Sequence, residues 1–392
     1  MNCPICGKKL TAMVCDCGYD RSRDYEKYPT FAPVLRGVES IAVLRDRLDN
    51  LVRCGRGQVA EELKKAAQPT IVSIETGKMC TMILWSNGAV TAVGDWFITP
   101  TWGKQNWKDP ENLIGELKDV KSVVLPKSSY GMVALKKDGT VLAVNSDGSI
   151  LRETGCWRNI VAVSVCGDYA DTVVGLKKDG TVVVAGDRWY STKFDVSNWR
   201  DIVAISVCEN HIVGLKKDGT VVATGEKKCD VSHWRDITAV AMGDCVVGLK
   251  KDGTVVVASE HWYSTKFDVS NWRDIVAISV CKNHIVGLKK DGTVVATGDK
   301  SSGKCDVSHW RDVNAIFTGE SLTVGLKKNG TVMVAGSNVN GRRRASKWDN
   351  IVAVSVGFYH IVGMKKDGTL VAVGDNSKGQ CDVHKLMKKV SS

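Results

Sequence analysis

The sequence lacks the features that mark a membrane or secreted protein. No window approaches the roughly 18 consecutive apolar residues of a transmembrane helix, and the N-terminus, MNCPICGKKL, has no apolar core to serve as a signal peptide. It also lacks a phosphate-binding glycine loop, a nucleophile elbow and a His-Glu metalloprotease string, and its 7 histidines form no catalytic cluster by spacing. We therefore expect a cytoplasmic protein that is not an enzyme.

Cysteine and positive charge are both plentiful. Without a secretion signal, the 14 cysteines are expected to be metal ligands where they cluster and small buried apolar residues where they are scattered. The formal net charge is +11, and seven repeated lysine-rich turns supply 8 of these charges. The excess is thus distributed around a repeat, which weakens any interpretation as a single charged patch.

One stretch of eight residues, LKKDGTVV, is repeated word for word along the chain. Four copies begin at Leu176, Leu215, Leu249 and Leu288, and near-copies begin at Leu135, Leu326 and Met364. Asp-Gly between two β-branched runs predicts a hairpin closed by a two-residue type I′ turn. Each unit, ending in a short segment such as CDVSHW, is predicted to form a three- to four-stranded antiparallel sheet.

The units recur with a regular period. The glycine of the turn returns about every 38 residues, at Gly88, Gly139, Gly180, Gly219, Gly253, Gly292, Gly330 and Gly368. Tryptophans keep the same rhythm, at Trp107, Trp157, Trp199, Trp234, Trp272, Trp310 and Trp348. A small sheet cannot bury both faces without neighbours, so the pattern predicts an all-β fold, a β-propeller of radial blades. Residues 71–118 form the most divergent unit, which leaves seven and eight blades both open.

The N-terminal part lacks the repeat and has the apolar spacing of helices. In VESIAVLRDRLDNLVRC, Ile41, Leu44, Leu48 and Leu51 have the spacing of an amphipathic helix, and QVAEELKKAAQ predicts a second, shorter one. These helices are expected to pair as a neck, to cap the propeller or to pack on a neighbouring blade. The predicted division is a head at 1–20, a linker at 21–34, a helical neck at 35–68, the propeller at 71–384 and a tail at 385–392.

The head carries the one chemical motif of the chain. CPICGKKLTAMVCDCG places Cys3, Cys6, Cys15 and Cys17 within a short segment, and four thiolates are the ligand set of a structural tetrahedral zinc ion. The segment is too short for an apolar core, so metal binding would supply its folding energy. It resembles the zinc-ribbon heads of bacterial proteins, but its second pair is Cys-x-Cys, which puts that half of the site in doubt. Free thiols in a disordered tail are the alternative.

The two ends of the predicted sheets differ in how much they vary. The KKDG turns and WRDI crossings share one rim and are nearly constant, whereas the loops of the other rim vary. This contrast is typical of a binding surface on a rigid scaffold, although neutral drift of loops produces it too. The predicted partner-binding residues on the variable rim are Trp189, Tyr190, Trp262, Tyr263, Arg342, Arg343, Arg344, Phe358 and Tyr359.

Each of these assignments has a structural alternative. Rigidly held aromatic side chains are frequent interface hot spots, but they are equally expected between blades. Arginines bind carboxylates or phosphates in bidentate fashion, but a run of three also suits a solvated loop. His211, His284 and His360 occupy the same repeat position, and we expect neither a metal nor a catalytic site there because equivalent positions of different blades diverge.

The last unit carries a family resemblance. HIVGMKKDGTL followed by VAVGDNSKGQ resembles the repeat of the regulator of chromosome condensation family. The short repeat is similar to its compact bacterial branch, which includes a β-lactamase-inhibitor propeller, and the resemblance extends over 71 to about 384. It implies a propeller, usually seven-bladed, and an interaction scaffold for a protein partner of unknown identity.

Two alternative functions stay open. One is guanine nucleotide exchange on a small GTPase, as in the founder of the family, but that activity uses a hairpin wedge for which units three to eight leave no room. The other is binding of a polyanion such as nucleic acid through the lysine rim, although an Asp follows each lysine pair in six of the seven turns.

Overall fold

The protein is described by a computed structural model that covers residues 69–96, 110–115, 117–166, 172–186, 194–208, 211–225, 229–259 and 267–391. The chain divides into two compact units, residues 1–69 and 70–390, and the second contains all the described strands. The helices predicted within 35–68 lie outside the described residues. Among the helices that are described, none has the length and apolar character needed to span a bilayer.

The described residues form eight three-stranded antiparallel sheets. The first four are β1 (Ile71–Thr76), β2 (Met79–Trp85) and β3 (Val90–Asp95); β4 (Val120–Val124), β5 (Met132–Lys136) and β6 (Val141–Val144); β7 (Ile160–Cys166), β8 (Thr172–Lys177) and β9 (Val182–Ala185); and β10 (Ile202–Cys208), β11 (His211–Lys216) and β12 (Val221–Gly225). The last four are β13 (Ile237–Met242), β14 (Cys245–Lys250) and β15 (Val255–Ser259); β16 (Ile275–Cys281), β17 (His284–Lys289) and β18 (Val294–Gly298); β19 (Val313–Thr318), β20 (Leu322–Lys327) and β21 (Val332–Gly336); and β22 (Ile351–Val356), β23 (His360–Lys365) and β24 (Leu370–Gly374).

Helices are few in this region. They are α1 (Pro110–Gly115), α2 (His384–Ser391) and two 3-10 segments, Arg152–Cys156 and Val339–Lys347. The predicted tail at 385–392 is thus mostly helix, and Leu386 of α2 is fully buried against the first and last sheets. The all-β prediction is confirmed. The segment CDVSHW contributes no fourth strand in the sixth sheet, because 305–310 forms loop and turn.

The hairpin loops are one residue longer than the sequence suggests, as the fourth sheet shows. Lys216 accepts a hydrogen bond from the Gly219 amide at 3.0 Å, and its own amide donates to Thr220 at 2.9 Å. Lys217 and Asp218 are therefore the central turn residues, and Gly219 follows them at φ +81. This is the three-residue loop in which a type I turn precedes a left-handed glycine. The predicted type I′ turn with Asp-Gly at its centre is wrong.

The sheets stand in a closed ring. The first strand of each sheet contacts the first strands of both neighbouring sheets, and β1 contacts β22 of the last sheet as well as β4 of the second. Hydrogen bonds join the two ends of the ring, since the Thr76 and Ser355 hydroxyls lie 2.8 Å apart. The first strands thus surround a central channel, an arrangement found in β-propellers.

The apolar core is divided among the junctions between neighbouring sheets. Between the sixth and seventh sheets, for example, Val286 and Leu288 pack with Val313 and Ile316. Phe194 and Phe267, which replace a cysteine of the repeat, are both buried in such clusters. The cysteines of the same repeat position, Cys229, Cys305 and Cys381, are half-buried, and Cys229 packs against the neighbouring apolar cluster.

Candidate binding rims

One end of every sheet carries the lysine turns and the crossings between sheets. The Lys217 amide donates to the Asp201 carbonyl at 2.9 Å, and the Ile237 amide donates to the Gly219 carbonyl at 3.0 Å. The turns of the second to seventh sheets are each bonded in this way to the crossing before the sheet and to the one after it. The prediction that these elements share one rim is confirmed, and we call it the constant rim. The opposite end, the variable rim, carries the first-to-second-strand hairpins and the loops after the third strands.

Aromatic side chains gather on the variable rim where the ring closes. Phe358 and Tyr359 lie in the hairpin between β22 and β23, with ring centroids 4.5 Å apart and planes inclined by 66°. Tyr130 precedes β5, and the Lys78 ammonium lies 5.3 Å from its ring centroid, in cation–π range. All four side chains are half-buried. We call them the aromatic sector; they come from the last, first and second sheets, which are consecutive around the ring.

Charge around Tyr130 favours its neutral form. Burial raises the pKa of the Tyr130 phenol, and the Asp95 carboxylate raises it further. The Lys378 ammonium, 3.1 Å from Asp95, acts in the opposite direction. The phenol therefore remains a hydrogen-bond donor at neutral pH, next to an apolar ring surface. An aromatic face beside a hydroxyl donor is a combination that protein interfaces use often.

A cavity of about 150 Å³ opens next to the aromatic sector, at the mouth of the central channel. Its walls include Val207, Val280 and Phe358, and Lys127 extends into it. The Lys127 ammonium donates to the Thr76 carbonyl at 3.0 Å and to the Val356 carbonyl at 2.9 Å. One lysine of the second sheet thus binds the main chains of the first and last sheets.

The setting of Lys127 combines access with enclosure. Lys127 as a whole residue is exposed to solvent. Its ammonium group is partly buried among the main chains of the surrounding sheets. Burial lowers the pKa of the Lys127 amine, and the nearby Glu75 carboxylate opposes that change. Because a Lys ammonium has three N–H groups and two are bonded, the third can reach a ligand in the cavity.

One of the two thiols of the cavity, Cys281, is held in its neutral form. Cys208 and Cys281 both line it. Burial raises the pKa of the Cys281 thiol to about 11, and the Glu320 carboxylate contributes to the increase. A thiol with this pKa carries almost no thiolate at neutral pH, so Cys281 is a poor nucleophile and a poor metal ligand there.

Two of the three repeated histidines lie inside junctions between sheets. The Nε2 atom of His284 is 3.1 Å from the Thr323 hydroxyl, and that of His360 is 2.9 Å from the Thr81 hydroxyl. Thr323 donates to the Lys304 carbonyl, so its oxygen accepts a hydrogen bond from the Nε2–H of His284. Burial lowers the pKa of His284 to about 4 and that of His360 to about 3. Both are neutral donors within the fold. His211 begins β11 and is half-buried.

The arginine run is divided by the structure. Arg342 is buried, and its guanidinium donates to the Phe358 carbonyl at 3.0 Å and to the Ser321 hydroxyl at 2.9 Å. It therefore holds the hairpin that carries the aromatic sector. Arg343 and Arg344 are exposed on the same 3-10 segment. Of the three predicted contact residues, these two are accessible to a partner.

The other predicted site residues fall outside the described residues. They are Trp189, Tyr190, Trp262 and Tyr263 of the duplicated loops, and Cys3, Cys6, Cys15 and Cys17 of the head. Within the part of the chain that the structure describes, no three His, Cys, Asp or Glu side chains are grouped to hold a metal ion. The zinc site thus stays a prediction.

The sequence reading missed Lys78, Lys127 and Tyr130. A signal for two of them was present, since LPKSSYG stands where several other units have Val-Cys or Val-Gly before the second strand. A departure from the repeat at a rim position is the pattern that would have indicated them. The partners of Lys127 could not be found in this way, because they lie in the last and first units.

Comparison with known proteins gives a repeat match and a set of distant likenesses. Residues 351–380 match the Regulator of chromosome condensation (RCC1) repeat. No curated protein sequence matches the chain.

Among solved structures, the CRINKLY WD40 ectodomain of the Arabidopsis thaliana receptor kinase ACR4 is 17% identical, with a TM-score of 0.47, over 78% of this chain and 96% of that one. The computationally designed Ika8 protein is 21% identical, with a TM-score of 0.47, over 79% of this chain and 97% of that one. Prp20p from Saccharomyces cerevisiae, whose binding to Gsp1p and histones has been studied, is 15% identical, with a TM-score of 0.44, over 81% of this chain and 86% of that one.

Proposed function

We propose that this protein is a non-enzymatic scaffold, an eight-bladed propeller of the regulator of chromosome condensation type, that binds a partner protein through its variable rim. The observation that carries the proposal is the aromatic sector. Phe358, Tyr359 and Tyr130 present aromatic surface on hairpins of neighbouring sheets, and aromatic residues held on a rigid frame dominate the binding energy of many interfaces.

The frame beneath this surface supports the proposal. Arg342 fixes the Phe358 main chain, and Lys127 fixes the strands on both sides of the closure. A surface that is ordered before binding loses little conformational entropy when a partner arrives. The exposed Arg343 and Arg344 add positive charge on the same rim, which suits a partner with carboxylates at the edge of the contact.

The residues predicted from the sequence in the duplicated loops and in the head are consistent with a scaffold that binds a partner protein. We propose that Trp189, Tyr190, Trp262 and Tyr263 extend the contact from the duplicated loops, and that Cys3, Cys6, Cys15 and Cys17 hold a structural zinc ion in a head domain of a cytoplasmic, bacterial protein. Zinc content that is unchanged by Cys3→Ser plus Cys6→Ser in anaerobically purified protein would contradict the metal site.

The binding proposal is tested by retention of partners on the immobilised protein. We compare the wild type with Phe358→Ala plus Tyr359→Ala, and with Arg152→Ala plus Glu153→Ala, two exposed residues of the first 3-10 segment, as the matched control. A partner is expected to be retained by the wild type and the control and to fall at least roughly tenfold with the aromatic variant. Thermal unfolding of each variant shows whether it is folded. Equal retention by all three folded proteins excludes the aromatic sector as the binding surface.

A further inference from the structure

The first strands share an irregularity near the constant rim. In β10, Ile202 pairs with Lys216 and Ala204 pairs with Leu215, so Val203 between them has no partner in the register. The same skip occurs in the first strand of each of the eight described sheets. A bulge of this kind turns the extra residue out of the sheet. The bulged positions are Val72, Lys121, Val161, Val203, Thr238, Val276, Asn314 and Val352.

Valine occupies five of these positions, and it is exposed in all five. Val203 is 52% exposed, Val276 53% and Val72 58%. The bulges of the second and third sheets are linked, because the Lys121 ammonium reaches the Val161 carbonyl at 3.1 Å. The five valines, which we call the valine ring, are Val72, Val161, Val203, Val276 and Val352. They encircle the channel at its constant-rim mouth.

The fold itself does not require valine here. Lys121, Thr238 and Asn314 fill the same bulge in other sheets and are also exposed. Polar residues thus satisfy the fold at this position, so the valines expose apolar area to water that packing does not require. Val161 and Val203 lie on consecutive sheets, as do Val352 and Val72, whereas Lys121, Thr238 and Asn314 stand between these pairs and Val276. Exposed apolar residues that recur in this way around one end of a rigid scaffold favour an interaction site.

Positive charge surrounds the valine ring. The second lysine of each described turn is exposed, at Lys137, Lys178, Lys217, Lys251, Lys290, Lys328 and Lys366. Asp218 accepts from the Thr220 amide at 2.9 Å and from its hydroxyl at 2.6 Å and stays ionised. Each Lys-Lys-Asp turn therefore keeps a net charge of +1, and the Lys-Lys-Asn turn one of +2. The constant rim thus combines an apolar centre with a cationic border.

We propose that the constant rim is a second docking surface, and that it binds an acidic protein segment whose apolar side chains cover the valine ring. Carboxylates of such a segment complement the lysines, and its apolar face removes the valines from water. A nucleic-acid backbone satisfies the lysines alone and leaves the valines without a role. The scaffold would then join two partners, one on each rim.

The test uses the full-length protein and defined probes. The main probe is a labelled helical peptide with leucines on one face and glutamates on the others; polyglutamate and single-stranded DNA are the comparators. Fluorescence anisotropy at low salt is expected to show the amphipathic peptide binding at least roughly tenfold more tightly than either comparator, because only this peptide buries the valines.

Variants separate the two rims. Val203→Thr, Val276→Thr and Val352→Thr together are expected to weaken peptide binding roughly tenfold through lost apolar burial. The triple variant should stay folded because Thr238 already occupies this position in the fifth sheet. Phe358→Ala plus Tyr359→Ala is expected to leave peptide binding unchanged. The proposal is overturned if the wild type does not bind the peptide, or if DNA and polyglutamate bind equally well and the valine variant has no effect.

Discussion

Each described tryptophan that precedes a first strand, from Trp157 to Trp348, lies against a glycine of the same sheet. A Cβ atom built on Gly287 would lie 2.7 Å from Cζ3 of Trp272, and one on Gly214 would lie 2.8 Å from Cζ3 of Trp199. The indole ring thus occupies the space that a side chain at this glycine would need. The pairing explains why glycine stands in the middle of a buried second strand, where it is otherwise unfavourable.

Gly287→Ala is therefore expected to destabilise the protein by about 1–3 kcal/mol, as overpacking of a buried contact does. The matched control is Gly155→Ala, because a Cβ at Gly155 meets no atom within 4 Å. Chemical denaturation followed by tryptophan fluorescence measures both changes. A Gly287 variant no less stable than the control would show that the indole can move away at no cost.

The sequence indicated only the tryptophan of each tryptophan–glycine contact. The rhythm of Trp199, Trp234 and Trp272 was evident, but the glycine partner lies on another strand, and a linear pattern does not show which side chain fills which gap. The turn type was missed for a related reason. Lys-Asp-Gly suits both two-residue and three-residue hairpin loops, and the choice follows from the bond between Gly219 and Lys216.

Neighbouring sheets are held together by polar side chains from the loops after the third strands. The Lys304 ammonium, 3% exposed, donates to Asn283 at 2.7 Å and to Asp299 at 3.0 Å in its own sheet, and to the Glu320 carbonyl at 3.3 Å in the next one. Hydrogen bonds from the Ser301 amide and from Lys304 hold the pKa of Asp299 well below its ordinary value.

Gln380 takes the same place in the last unit. Its side-chain nitrogen lies 3.1 Å from the Asp375 carboxylate and 3.5 Å from the Met79 sulfur of the first sheet, and its main-chain carbonyl accepts from the Thr81 hydroxyl at 2.8 Å. Lys304 and Gln380 thus occupy equivalent junctions between neighbouring sheets. The sequence contains both residues but does not show that each contacts the next sheet.

Lys304→Ala is expected to lower the free energy of unfolding by about 1–3 kcal/mol, because Asn283 and Asp299 lose their shared donor. Lys304→Gln should lose less than half as much, since glutamine already serves at the equivalent position in the last unit. Urea denaturation of the three proteins gives the ranking. Equal losses for both variants would mean that the charge, and not the donor, stabilises this junction.

The stability of the whole ring is expected to depend on pH through two buried histidines. The pKa of His284 is lowered to about 4 and that of His360 to about 3, in both cases mainly by burial. An unfolded chain binds protons at these residues near pH 6.5. Above that pH neither state is protonated and the full stability is present. As the pH falls from about 6.5 toward 4, the unfolded state alone gains protons, so stability is lost.

The loss is expected to be about 3 kcal/mol or more for each histidine at the end of that range. His284→Gln plus His360→Gln keeps an N–H donor toward Thr323 and Thr81 but cannot titrate, so its stability should fall less steeply over the same interval. Denaturation curves between pH 8 and pH 4 measure both slopes. Parallel slopes for wild type and variant would assign the acid sensitivity to other groups.

Most of the architecture could be predicted because the same unit of strands and turns recurs along the chain. The repeats indicate the strands, their period and the two rims. They could not give the features that arise where the repeat ends, such as Lys127 bonded to Thr76 and Val356, because these contacts exist only once the ring is closed. The aromatic sector depends on the same closure, which brings the last, first and second sheets together.

The ring cannot close during synthesis until the last sheet has been translated. The bonded hydroxyls of Thr76 and Ser355 are 279 positions apart in the chain. A ribosome that adds roughly 5–20 residues per second takes on the order of 15 to 55 s to make the intervening segment. For that interval the first sheet is without the last sheet, against which one of its faces packs. The first sheet is consequently the sheet longest exposed to aggregation and to chaperones.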